Sequence, residues 1–445
     1  HSKALFGRRL PVGKDLYLRF YRSGHLLGAT SVGVVWGPDP KLGSARPQRT
    51  INFSGDLGPN LEDREQLPFL RHMMKPTPGD YAVVESTYGG SVRPLEDGDA
   101  EIRISRLNVA LREGLARGGP VIIPAFAMGR TQDLLFDLHL LFARHPHFNG
   151  VPVHLDGAMA LKASKITATS IGRLHSVSGN RQKLAWLGKQ VFKLFGLKLD
   201  DADDEAILVD ALKEMLHPGH VPEQPRTGPF ERWRRIYQVV DPKKRASISG
   251  PCIILTGGGM CNGGPVQEYL KQHLREPEAT VLLTGYCSVG TVGQELAHLG
   301  RLPPEEWRRL NERLGLDDVS IRKREVEATI QVMSGYSAHA DQRGLLEWLF
   351  YRMPGDEYWS SAGKHVFVTH GNPTARRQLA VATEHRARML DIDVEANLPG
   401  SDRWFDLDED RWVEEEMSEL EMLRARYEEL ERKSSKMEEG NLCAV

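Results

Sequence analysis

The sequence predicts an α/β fold of more than one domain, and three observations carry that reading. Apolar, β-branched runs repeatedly end in a polar residue flanked by glycine. From about residue 100 such runs alternate with amphipathic helical stretches, the βαβ rhythm of a parallel sheet. At 445 residues the chain exceeds what one compact core usually holds, so two or three domains are expected.

The elements follow in chain order. Residues 15–36 (DLYLRFYRSGHLLGATSVGVVW) read as two strands about a glycine-flanked turn, from the alternation in LYLRF and the β-branched SVGVVW. RTINFSGDLG (49–58) is a strand ending in a turn, and DYAVVESTYGG (80–90) repeats the form. Ile104, Leu107, Leu111 and Leu115 share a helical face closed by Gly118 and Gly119. A buried-type strand (VIIPAF, 121–126), a helix (TQDLLFDLHLLFARH, 131–145) and a strand (VPVHLDG, 151–157) come next. Residues 160–245 are more polar and read as helical. Strand-to-glycine units return at PCIILTGGGM (251–260) and ATVLLTGYCSVG (279–290). QVMSGYSAHAD (331–341), a helix near RGLLEWLF and HVFVTHGN (365–372) follow. In 403–437, Val413, Leu420 and Tyr427 share one heptad position, and Leu423, Leu430 and Met437 another. That spacing predicts an amphipathic helix, packed on the protein's own body in preference to a dimer zipper.

Composition excludes several classes. The formal net charge of −2 gives no global pull on nucleic acid, so such a partner needs a local basic groove. Cys252, Cys261, Cys287 and Cys443 form no C-x-x-C pair. They are expected as small buried residues in a reducing, cytoplasmic setting. No run approaches the ~18 apolar residues of a membrane span, so no membrane partner is expected. GGGM (257–260) and GYCSVGTVG (285–293) can cradle phosphate on backbone N–H groups, but they match no nucleotide-binding pattern. His145-Pro146-His147 reads as a solvated turn.

Five ionisable residues stand at strand ends among small neighbours: His25 (SGHLLGA), Asp56 (SGDLG), Glu85 (ESTYGG), His339 (SAHAD) and His370 (THGN). Small neighbours let backbone and ligand approach closely. His and Asp supply nitrogen and oxygen ligands suited to zinc. Singly, each is ordinary turn chemistry. Jointly, they point to a metal site assembled from scattered strand-end loops.

These segments, with IPAFAMGRTQDLL, LDGAMA, GGGMCNGGP and GYCSVGTVGQEL between them, resemble the β-CASP branch of the metallo-β-lactamase-fold nucleases over about residues 15–375. The resemblance implies a metallo-β-lactamase αββα core from residues 1–100 and 331–400. A β-CASP parallel α/β domain would be inserted at 101–330, and 401–445 would form a charged helical tail. It implies a ribonuclease of single-stranded RNA acting through two zinc ions. His25 would ligate one zinc, His370 the other, and Asp56 would bridge them. His339 would be the general acid and Glu85 the carboxylate that orients it. Histidine at the position of His370 goes with RNA substrates, valine with DNA. Arg130, Ser337 and the loop carrying Gly258 and Gly259 are candidates to hold backbone phosphates. Oxygen-rich bridging sites also accept manganese. The family contains endonucleases and exonucleases and often forms homodimers, and these motifs do not choose among them.

One departure matters. The family's H-x-H-x-D-H signature occurs nowhere in the sequence. His25, Asp56 and His370 are too few to fill two four-coordinate zinc sites. The reading is therefore that His1 is not the natural start. The chain would be the C-terminal four-fifths of such a nuclease, with an N-terminally incomplete core, inactive alone. A non-catalytic RNA-binding or scaffold subunit is the alternative; a thioesterase or lactamase of the same fold is disfavoured by Glu85 with His339.

Overall fold

Seven strands drawn from both ends of the chain form the first sheet of the computed structural model. The structure describes residues 6–38, 48–62, 65–70, 72–172, 174–176, 182–184, 187–199, 201–222, 228–318, 321–352, 358–360, 363–400 and 403–413. The strand order is Leu10–Gly13, Leu16–Arg22, Thr30–Trp36, Arg49–Phe53, Tyr81–Val84, His365–Val368, Glu395–Asn397. Pairing is antiparallel as far as Arg49–Phe53 and parallel beyond it. Strands Leu16–Arg22, Arg49–Phe53, Tyr81–Val84 and His365–Val368 therefore all run the same way. Their C-terminal ends share one edge of the sheet.

One face of this sheet buries Ala82, Val84, Val366 and Val368 with Leu345 and Trp348 of helix Gln342–Leu349 and Leu379 of helix Pro373–Met389. On the other face, cross-strand register aligns Leu16, Leu18 and Phe20 with Trp36, Val34 and Val32, and these with Ile51 and Phe53. Most of that face is half-buried, and Phe53 is exposed.

The second sheet is parallel throughout, in the order Tyr237–Val239, Val153–Asp156, Ile253–Gly257, Val121–Ala125, Thr280–Leu283, Thr329–Val332. Its central strands are covered on both faces, which is why they read as unbroken apolar runs. Val121, Ile123 and Leu255 pack with helices Ala100–Ala116, Arg130–Arg144 and Ala202–Leu216. Ile122, Ile254 and Val281 pack on the opposite side with helices Val266–His273 and Val292–Leu299. The mixed α/β architecture with a parallel insertion is the one the sequence predicts.

Two expectations need correction. The stretch 160–245 is not only helical, because Tyr237–Val239 adds the outermost strand of the second sheet. It has three residues with only Tyr237 buried, too short for any periodicity. The predicted tail helix does not begin at 403. Trp404–Asp406 and Arg411–Val413 form an antiparallel hairpin, with Phe405 edge-on to Trp412 and Asp410 in the left-handed region. Aromatic and β-branched residues favour strand over helix here. The remaining heptads, 414–437, lie outside the described residues, as does Cys443. Cys252 and Cys261 are buried free thiols, and Cys287 is a half-buried one. No helix among the described residues is long and apolar enough to cross a membrane.

A buried ionic cluster joins the helices of the second layer to the loop that follows Thr329–Val332. Arg103, 1% exposed, donates from Nε and Nη2 to both oxygens of Asp137 (2.7 and 2.9 Å), and the Tyr336 hydroxyl donates to Asp137 at 2.5 Å. Gln66 Nε2 donates to the Gly335 carbonyl at 2.8 Å. Removing one member strands a buried charge, and Asp137→Ala should cost about 3–5 kcal/mol. Urea denaturation measures this. Asp137→Asn, which keeps an acceptor, should lie between the variant and the wild type.

Candidate active site

The strand ends of the first sheet bring the predicted ionisable residues together. His25 follows Leu16–Arg22, Asp56 follows Arg49–Phe53, Glu85 follows Tyr81–Val84 and His370 follows His365–Val368. The His25 and Asp56 loops touch through a bridge between Gly24 and Leu57. A Cβ on Gly58 would lie 1.9 Å from the Gly24 carbonyl oxygen, so only glycine permits this approach. Asp56 then faces two imidazoles. Its Oδ2 is 3.7 Å from His25 Nε2 and its Oδ1 is 3.5 Å from His370 Nε2. His370 is held in the left-handed region (φ 46°), with its carbonyl accepting from Ser86 N at 3.0 Å.

His339 arrives from the second sheet, on the loop after Thr329–Val332. Two backbone groups clamp that loop to the first sheet. The Ala338 carbonyl accepts from His25 Nδ1 at 2.9 Å, and Ala340 N donates to the Leu57 carbonyl at 2.7 Å. A carbonyl only accepts, so His25 carries its proton on Nδ1 and presents a lone pair at Nε2 toward Asp56. Burial and the neighbouring His339 charge both lower the His25 pKa, which favours that neutral form.

Glu85 is buried, 2% exposed, and lies 3.1 and 3.2 Å from His339 Nδ1 through its two oxygens. It also accepts from Leu57 N (2.7 Å) and Thr87 N (3.2 Å). Burial alone would raise its pKa. The hydrogen bond and charge of His339, with the Thr87 and Leu57 bonds, outweigh burial and hold it below the ordinary value. The His25 and His339 rings stand 4.4 Å apart.

Whether the group fits metal can be tested on spacing. Two ligands of one tetrahedral zinc lie ~3.4 Å apart. The His25–Asp56 and Asp56–His370 separations, 3.7 and 3.5 Å, match that, with one carboxylate oxygen toward each imidazole. The donor set suits zinc or manganese. Ligand atoms of His25, Asp56 and His339 also lie within 4.8 Å of one another, so geometry admits His339 as ligand or as acid.

A cavity of about 350 Å³ opens beside these histidines, with Arg130 and Ser337 in its wall. Arg130 is 5% exposed, and its Nε and Nη1 have no hydrogen-bond partner. Burial, partly offset by Asp133, pulls its pKa down to about 10, so it remains a cation at neutral pH. The Ser337 hydroxyl accepts from His339 N at 3.4 Å. Gly258 and Gly259 do not line this cavity, whereas Met260 does. Packing demands glycine at both: a Cβ on Gly258 would meet the Gly263 carbonyl at 2.3 Å, and one on Gly259 would meet Phe126 at 2.9 Å. A larger hollow, about 980 Å³, borders Pro152 and Pro251 at the opposite ends of the parallel strands and holds none of these groups. The His145 and His147 rings lie against that surface turn, as the sequence suggests. Sequence reasoning missed Tyr88, whose ring is 6.4 Å from that of His339, although ESTYGG contains it. It also missed the backbone partners Leu57 and Ala338, which carry no side-chain signal.

Comparison with known proteins finds relatives of this chain. Residues 131–296 match the Beta-Casp domain, and residues 323–394 match the Zn-dependent metallo-hydrolase RNA specificity domain. The transcription termination factor FttA of Methanosarcina mazei is 27% identical over 83% of this chain and 47% of its own length. The RNase J-like protein of Methanocaldococcus jannaschii is 26% identical over 76% of this chain and 61% of its own. Ribonuclease TTHA0252 of Thermus thermophilus is 27% identical, over 77% and 62% respectively. The chain thus spans 47% to 62% of the length of these relatives.

A pH test follows from Glu85. Because its pKa is depressed in the fold, its stabilisation is complete above the unfolded value, about 4.3. It is lost as pH falls through the folded value. Glu85→Gln should lower unfolding free energy at pH 7 by about 1–3 kcal/mol. In urea titrations the gap from wild type should narrow below about pH 4. A gap constant across pH would contradict the assignment.

Proposed function

We propose that this chain, which belongs to the β-CASP family of metallo-β-lactamase-fold nucleases, hydrolyses phosphodiester bonds of single-stranded RNA with metal ions held by His25, Asp56 and His370. The observation that carries the reading is the convergence of those three donors and the Glu85–His339 pair on one sheet edge, beside a buried arginine with unused donors. Bound cations supply a water acidic enough to be hydroxide near neutral pH and offset charge on the phosphate.

The protein's own groups do the rest. Asp56 spans the His25 and His370 positions, one oxygen to each. Arg130, a buried cation in the cavity wall, attracts the phosphate. Ser337, in the same wall, is a second donor. Glu85 binds His339 at Nδ1 and fixes its ring, which leaves Nε2 to give a proton to the departing oxygen. A subunit that only scaffolds RNA has no use for a buried carboxylate aimed at a histidine.

Three side chains cover fewer positions than two tetrahedral ions offer. At stoichiometric metal the chain is expected to be idle. Excess metal is expected to be needed, because His25, Asp56 and His370 alone would hold it weakly. At saturating Zn2+ or Mn2+, His339→Ala should slow RNA cleavage about 10²–10⁴-fold, with metal affinity by calorimetry unchanged. Parallel loss of metal affinity would make His339 a ligand and remove it as the acid.

A further inference from the structure

We infer that the cavity beside His25 and His339 is a nucleobase pocket, in which one unstacked base of a single strand lies on Phe126 and Tyr286 while Arg130 holds its phosphate. This rests on the RNA reading above and narrows it to a subsite.

Phe126 follows Val121–Ala125, Tyr286 lies just past Thr280–Leu283, and Met260 lies just past Ile253–Gly257. These are three adjacent central strands of the parallel sheet. The carboxyl ends of such strands are where open α/β sheets bind ligands. All three side chains line the cavity. Phe126 and Tyr286 are each 39% exposed, whereas Phe136, Phe148, Phe192, Phe230 and Trp233 of the same layer are fully buried. An aromatic pair left open at a site needs another reason than core packing.

Both rings are braced without being covered. A Cβ built on Gly259 would meet Phe126 at 2.9 Å and one built on Gly285 would meet its ring at 4.0 Å, so both glycines lie against it. Tyr88 meets Tyr286 edge-on at 5.7 Å, and Arg93 caps Tyr88 at 4.5 Å. The polar element is Arg130, a cation 5% exposed, in the same wall. Two open aromatic rings beside a buried cation match a base and its phosphate. The volume, about 350 Å³, lies at the small end of ligand pockets and suits one nucleotide. Apart from His25, Arg130, Ser337 and His339, the lining side chains are apolar or aromatic, so stacking should accept any base. A paired, stacked base has no free face to offer.

The test uses the full chain without metal, so nothing is cleaved. Single-stranded RNA octamers carry one 2-aminopurine, whose fluorescence falls on stacking, at successive positions. Quenching should appear with the single strand and be absent with the corresponding duplex. Tyr286→Ala and Phe126→Ala should each abolish it and weaken binding about tenfold. Tyr286→Phe should retain both, and Tyr286→Leu, which keeps bulk without a π face, should lose both. Quenching at no position, or quenching undiminished in the alanine variants, would overturn the pocket. Quenching here, with no cleavage in a parallel assay at saturating manganese, would overturn the hydrolytic reading alone. Cleavage without quenching would overturn the pocket alone.

Discussion

The buried carboxylate of Glu85 is the constraint on which the rest of the site depends. A charge at 2% exposure is tolerable only if its oxygens are fully used. Here they are used by three segments: Leu57 beside Asp56, Thr87 on its own loop, and His339 from the other sheet. Satisfying one anion therefore fixes the Asp56 loop and the His339 loop together. Leu57 is gripped twice, since its carbonyl accepts from Ala340 N. The cost of burying Glu85 and the geometry of the site have the same origin.

The loop from Gly335 to Ala340 is the hinge of this arrangement. Gln66 binds it at Gly335, Asp137 at Tyr336, His25 at Ala338 and Leu57 at Ala340. Its first half is tied to helices over the parallel sheet through Arg103 and Asp137, and its second half to strand ends of the first sheet. His339 is thus held by both layers. Its ring geometry is pre-set, so little ordering remains to be done when substrate and metal arrive.

Much of this was legible in the sequence, for a physical reason. Ionisable residues among glycines and serines at the ends of apolar runs mark loops where backbone must come close, and His25, Asp56, Glu85, His339 and His370 all stood out that way. Doubly covered strands such as VIIPA are unmistakable because both faces are apolar. What was illegible is what depends on distance along the chain. Glu85 and His339 are 254 residues apart, and no local pattern announces their bond. That packing requires glycine at 258 and 259 shows only in the fold, and the exposed rings of Phe126 and Tyr286 were hidden in apolar runs. The Trp404 hairpin was lost because a heptad count ignored strand-forming aromatics.

The central claim is that the strand-end cluster uses metal to cut RNA. The most direct measurement is cleavage of end-labelled single-stranded RNA across a manganese titration, with wild type and Asp56→Ala side by side and RNA binding recorded for both. The account predicts cleavage that rises with manganese in the wild type and is absent in Asp56→Ala, with RNA bound comparably by each. Firm RNA binding with no cleavage at any manganese concentration, or cleavage indifferent to Asp56, would contradict it.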